Sequence, residues 1–102
     1  MTITIQFFNG CPHRHLAAQR LRQAIADVRR DDVEITHQLI DSPDEAERVG
    51  FHGSPTLLIN RQDMFGGRET PVNFGCRVYE TAEGLQGAPS VEQLRDLLES
   101  AQ

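Results

Sequence analysis

Apolar and polar residues alternate at the start of the chain, where Ile3, Ile5 and Phe7 are separated by Thr4 and Gln6. A period of two places the three apolar side chains on one face of a strand running from Thr2 to Phe8. Asn9-Gly10 ends it. The period then lengthens: Ala17, Leu21, Ala24, Ile25 and Val28 recur at helical spacing. Pro12 suits the first helical position, where a backbone N–H would have no partner anyway. This helix is predicted to reach about Arg29. Val33, Ile35 and Leu39 return to alternation as a second strand. Ser42-Pro43-Asp44-Glu45 reads as a capping box with proline in the first turn, opening a short helix to Val49 that Gly50 stops. Thr56 to Asn60 is predicted as a third strand and Cys76 to Tyr79 as a fourth. Ser90 with Gln93 caps a last helix that turns Val91, Leu94, Leu97 and Leu98 inward. The predicted order is βαβαββα.

A helix between two strands implies a right-handed crossover and a parallel pair, whereas the third and fourth strands have no helix between them and are predicted antiparallel. The expected architecture is an α/β fold with a mixed four-stranded sheet flanked by helices on both faces. Its first strand delivers Cys11 to the carboxyl edge, and its third strand starts from that edge, so Pro55 is placed to face Cys11. Asn60 to Gly75 shows no period. It is read as an insertion of about residues 61–75 within one domain spanning 1–102.

Composition narrows the function classes. The chain has 102 residues, 38% hydrophobic and 25% charged, as expected of one soluble globular domain. Fifteen acids outnumber ten cations, all Arg, and the formal charge of -5 argues against a nucleic-acid partner. No apolar run is long enough for a membrane span, and the N-terminus has neither a basic leader nor a cleavage-like site, so a cytoplasmic location is expected. Two cysteines are too few for a disulfide framework, and each is weighed by itself.

Cys11 sits where a helix begins. The unpaired N–H groups there and the positive end of the helix dipole favour thiolate, the form that attacks disulfides and binds soft metals. Arg14 reads either as a solvated first-turn side chain or as a cation that supports the thiolate or an anionic substrate. His13 and His15 read as exposed polar residues, and His37 as half-buried in the second strand. His52 is expected at the same edge as Cys11, as an acid–base partner, a substrate contact or a metal ligand. Cys76 shares a strand face with Val78 and reads as a packed small hydrophobe. Its alternative role is to resolve an oxidised Cys11. If the fourth strand begins at the opposite edge, about five residues at roughly 3.3 Å each separate the two, beyond the Cα limit of about 7 Å for a disulfide.

Three segments together resemble the thioredoxin superfamily. Phe8-Asn9-Gly10-Cys11-Pro12 resembles the nucleophile turn, Gly50 to Ile59 the segment that carries the cis-proline, and Gly87 to Leu94 the entry to the final helix. Across nearly its whole length, including Cys76-Arg77-Val78-Tyr79, the chain is similar to small bacterial proteins of the thioredoxin family, the DF family of (seleno)proteins and alkylmercury-lyase-like proteins. The resemblance implies a thioredoxin-like fold with a cis peptide before Pro55. The position of a second cysteine in the thioredoxin motif is occupied by Arg14, which excludes a dithiol cycle within the motif. The aromatic residue usual before the nucleophile is replaced by Gly10, and the chain has no Trp. The expected function is thus a monothiol oxidoreductase without a cofactor. Cys11 attacks a disulfide, sulfenate or peroxide; Pro55 packs against the sulfur; and Ser54 presents backbone to a protein or small-molecule partner. An external thiol or Cys76 completes the cycle. The alternative is a non-catalytic module that holds mercury, copper or zinc through Cys11 with a His or Cys76. A third reading is a partner-binding domain without thiol chemistry.

Overall fold

The computed structural model describes residues 1–66 and 70–100. Strands β1 (Thr2–Phe7), β2 (Glu34–Leu39), β3 (Thr56–Ile59) and β4 (Gln62–Asp63) form one sheet in the order β2-β1-β3-β4. β1 runs parallel to β2 and antiparallel to β3, and β4 pairs antiparallel with β3. Among the described residues three helices accompany it: α1 (His13–Val28), α2 (Pro43–Val49) and α3 (Val91–Ser100). A separate hairpin joins β5 (Tyr79–Thr81) to β6 (Gly84–Gln86). The architecture is α/β with a mixed four-stranded sheet, as the periodicity implied.

The fourth strand is not the one predicted. Asn60 and Arg61 adopt left-handed conformations (φ 49 and 72) and make a two-residue turn. Such a turn matches the twist of a hairpin, and it folds Gln62 and Asp63 directly back onto Ile59 and Leu58. The place beside β3 is therefore filled before the chain reaches Cys76, and Tyr79 instead opens β5. The stretch read as an insertion contains β4, and its residues 67–69 lie outside the described ones.

The caps show how locally each helix is specified. α1 ends one residue before its predicted limit, with Arg29 left-handed and its N–H donating to Ala26 O at 3.2 Å. Ser42 Oγ accepts from Glu45 N at 3.1 Å at the start of α2. At α3 the box closes both ways: Gln93 N donates to Ser90 Oγ at 3.1 Å, and Ser90 N to Gln93 Oε1 at 2.8 Å.

The main core lies on one face of the sheet. Ile3, Ile5, Leu57 and Ile59 pack there against Ala17, Leu21 and Ala24 of α1 and Leu94 and Leu98 of α3. Each large side chain so buried contributes roughly 1.5–3 kcal/mol. The other face carries polar pairs: Thr4 and Thr36 hydroxyls at 2.9 Å, and Gln6 Nε2 donating to Gln38 Oε1 at 3.1 Å. α2 contributes Ala46 to a second cluster with Ile40 and Phe51. β2 is an edge strand, so His37 is exposed rather than half-buried. Among the described residues no helix is long and apolar enough to cross a membrane.

Candidate functional site

β1 delivers the chain to a tight turn. Cys11 N donates to Phe8 O at 3.2 Å, and Gly10 takes φ +86, a conformation that side chains resist. Pro12 caps α1 at φ -73, one position before the helix proper, and the first helical turn carries no acid. Cys11 is a free thiol, 7% exposed.

Antiparallel pairing of Gln6 with Thr56 brings the start of β3 to this turn. The Ser54–Pro55 peptide is cis, as the sequence resemblance implied, and Phe8 N donates to Ser54 Oγ at 3.3 Å. Ser54 and Pro55 are fully buried.

Cys76 reaches the same edge from the other side. Ser54 N donates to Gly75 O at 2.8 Å and Arg77 N donates to Ser54 O at 2.9 Å, which pairs Cys76 with Ser54 in a parallel bridge. Phe74 sets its ring edge-on to Phe8, with centroids 5.7 Å apart. Cys76 is a free, exposed thiol and Val78 is 64% exposed, so the packed-hydrophobe reading of that face fails. Cys76 pairs with Ser54 and does not open a strand at the opposite edge, so the condition for a strand-length separation from Cys11 is not met.

The alternate face holds a charge network that sequence reading missed. Arg77 Nη1 donates to Asp63 Oδ2 at 2.8 Å and to Thr56 Oγ1 at 3.2 Å, while Phe65 N donates to Asp63 Oδ1 at 3.0 Å. Burial pushes the Asp63 carboxyl up, but hydrogen bonds from His52 and Arg77 outweigh it and hold the group below its ordinary range. Asp63 is thus a carboxylate, and His52 Nδ1–H donates to its Oδ2 at 2.5 Å. Arg77 also covers the Tyr79 ring, with Cζ 4.6 Å from the centroid, and Tyr79 OH donates to Pro55 O at 2.5 Å. Burial raises the Tyr79 phenol far above its usual value, which keeps it a donor. The signal for these residues was the alternation Arg77-Tyr79, complementary to Cys76-Val78.

The remaining candidates are placed as follows. Arg14 folds back over β1, its Cζ 4.0 Å from the Phe7 ring centroid, and its Nε is buried without a hydrogen-bond partner among the described residues. His13 lies against Gly87 so closely that a Cβ there would stand 2.3 Å from the ring. His15 is exposed. His37 sits edge-on to Phe7 at 6.3 Å, and desolvation, then the nearby Arg14, Arg22 and His15, lower its pKa. Ser54 and Pro55 thus join the Cys11 turn with Cys76 bonded alongside, whereas Arg14 engages Phe7 and His52 engages Asp63. Among the described residues no three His, Cys, Asp or Glu side chains gather where they could hold a metal ion. No family model, curated protein or solved structure matches the chain.

Proposed function

We propose that the protein is a thioredoxin-like, thiol-dependent oxidoreductase that uses Cys11 as the one sulfur that attacks its substrate. The observation that carries this reading is the placement of a free cysteine in the turn before α1, tied through Phe8 to the buried Ser54–Pro55 segment. The strand order β2-β1-β3-β4 supports the finer fold assignment. In the reaction the Cys11 thiolate attacks a disulfide, sulfenate or peroxide, with Pro55 against the sulfur. No acid stands in the first turn of α1 beside the sulfur. A protein or small-molecule thiol is the partner, and the reducing cytoplasm is the setting that keeps both cysteines free.

Alkylation with iodoacetamide followed by peptide mass spectrometry tests the reactivity. Cys11 is expected to react faster at neutral pH than the more exposed Cys76, and Cys11→Ser is expected to lose all thiol-dependent consumption of hydrogen peroxide or of a glutathione mixed disulfide. Slower reaction at Cys11 than at Cys76, together with no turnover in the parent protein, would make the domain a scaffold.

A further inference from the structure

An extended substrate chain pairs with a protein through free backbone groups at a sheet edge. Beside the Cys11 turn, the protein uses both backbone groups of Ser54 itself. The Ser54 N–H is bonded to Gly75 O and its C=O to Arg77 N, at 2.8 and 2.9 Å. The residue held opposite Ser54 is a cysteine. Cys76 therefore stands one strand spacing, roughly 4.8 Å, from Ser54. The Ser54 hydroxyl in turn accepts from Phe8 N, and Phe8 O accepts from Cys11 N. Two further ties keep the segment there: Asn73 N donates to Phe51 O at 2.8 Å, and Asn73 Nδ2 donates to Cys76 O at 3.3 Å. Gly10 and Gly75, which carry no side chains, directly precede the two cysteines.

We infer that Cys76 is the resolving thiol for Cys11, and that Gly75–Arg77 occupies in cis the edge an external disulfide-bearing chain would need. The inference rests on the reactivity of Cys11 proposed above and narrows its substrate to a small hydroperoxide, which needs no backbone edge. The Cys11 thiolate attacks one peroxide oxygen and the O–O bond breaks. Sulfur, oxidised by two electrons, becomes a sulfenic acid, and the other oxygen leaves as an alcohol, or as water from hydrogen peroxide, after taking a proton. Cys76 sulfur then attacks Cys11 sulfur; the S–S bond forms, the S–O bond breaks, and the hydroxyl departs as water with the Cys76 proton. An external dithiol restores both cysteines by two exchanges and leaves as a disulfide.

The test treats the full chain with one equivalent of hydrogen peroxide in the presence of dimedone, which traps sulfenic acid, and maps the products by mass spectrometry. The parent is expected to yield a Cys11–Cys76 linked peptide pair and almost no dimedone adduct. Cys76→Ser and Cys76→Ala, both at an exposed position, are expected to lose the link and accumulate the adduct on Cys11. Equal adduct in parent and variants without the linked pair overturns the resolving role while leaving Cys11 reactive. A linkage between Cys76 residues of two chains in place of the internal one overturns it equally. Cys11 recovered as an unmodified thiol from every protein overturns both this inference and the function on which it rests.

Discussion

Ser54 and Pro55 are gripped from two sides by unlike means. Toward Cys11 the tie is one hydrogen bond from a backbone N–H to a hydroxyl, backed by a four-residue turn that glycine permits. Toward Arg77 there are two backbone bonds, a phenol on Pro55 O, and a carboxylate shared by a guanidinium and an imidazole, with the Asp63 and Arg77 side chains 6% and 10% exposed. Buried charges are costly to separate, whereas an exposed turn moves cheaply. The loop is thus tied more heavily toward Arg77 than toward the Cys11 turn.

The largest test of this contrast is Asp63→Ala. It leaves the Arg77 guanidinium without its carboxylate and half-buried His52 without its acceptor, and about 3–5 kcal/mol of stability is expected to be lost in urea denaturation. A change below about 1 kcal/mol would show that the network is not the anchor. The same residue sets a pH dependence. Its carboxyl titrates lower in the folded protein than in the unfolded chain. Its contribution is therefore full above the unfolded value of about 3.9 and is lost as pH falls through the lower folded one. Stability measured from pH 6 down to pH 2, roughly spanning that window, is expected to fall less steeply in the variant than in the parent.

Tyr79→Phe removes the donor to Pro55 O and leaves a buried carbonyl unsatisfied, for an expected cost of about 1–3 kcal/mol in the same assay. Gly87→Ala probes the first turn of α1 from outside the network. The added methyl collides with the His13 ring and is expected to cost about 1–3 kcal/mol. His13→Ala in the same chain is expected to recover most of that loss, and absence of recovery would place the clash elsewhere.

The smallest effect is expected on the thin side. Ser54→Ala removes only the acceptor for Phe8 N, for about 0.5–1.5 kcal/mol. Its informative readout is the rate of Cys11 alkylation, which is expected to change more than stability does. A loss as large as that of Asp63→Ala would erase the contrast between the two sides.

What could be read from the sequence divides along the same line. Gly10, Cys11 and Pro12 announce their turn and helix start through local backbone preferences, and Ile3, Ile5, Leu21, Leu94 and Leu98 announce the core by period alone. β4 was missed because its turn, Asn60-Arg61, lacks the glycine that marks most hairpins of this type, although Asn60 was a partial signal. The face of Cys76 was misread because burial of Arg77 depends on Asp63, 14 positions earlier, and burial of Tyr79 on a carbonyl 24 positions away. Nothing local tells a strand to turn an arginine inward and leave a valine outside.

The brevity of β4 bears on how these molecules coexist at high concentration. A sheet margin with unpaired N–H and C=O groups is a template on which a second chain can add a strand, and long flat margins aggregate. Here the margin beside β3 is closed by two residues, one of which commits its carboxylate to the interior. At the opposite margin β2 alternates Ile35 and Leu39 with Glu34, Thr36 and Gln38, and shows His37 to solvent. A neighbouring strand would find few backbone groups to extend at one margin and a polar, charge-bearing row at the other.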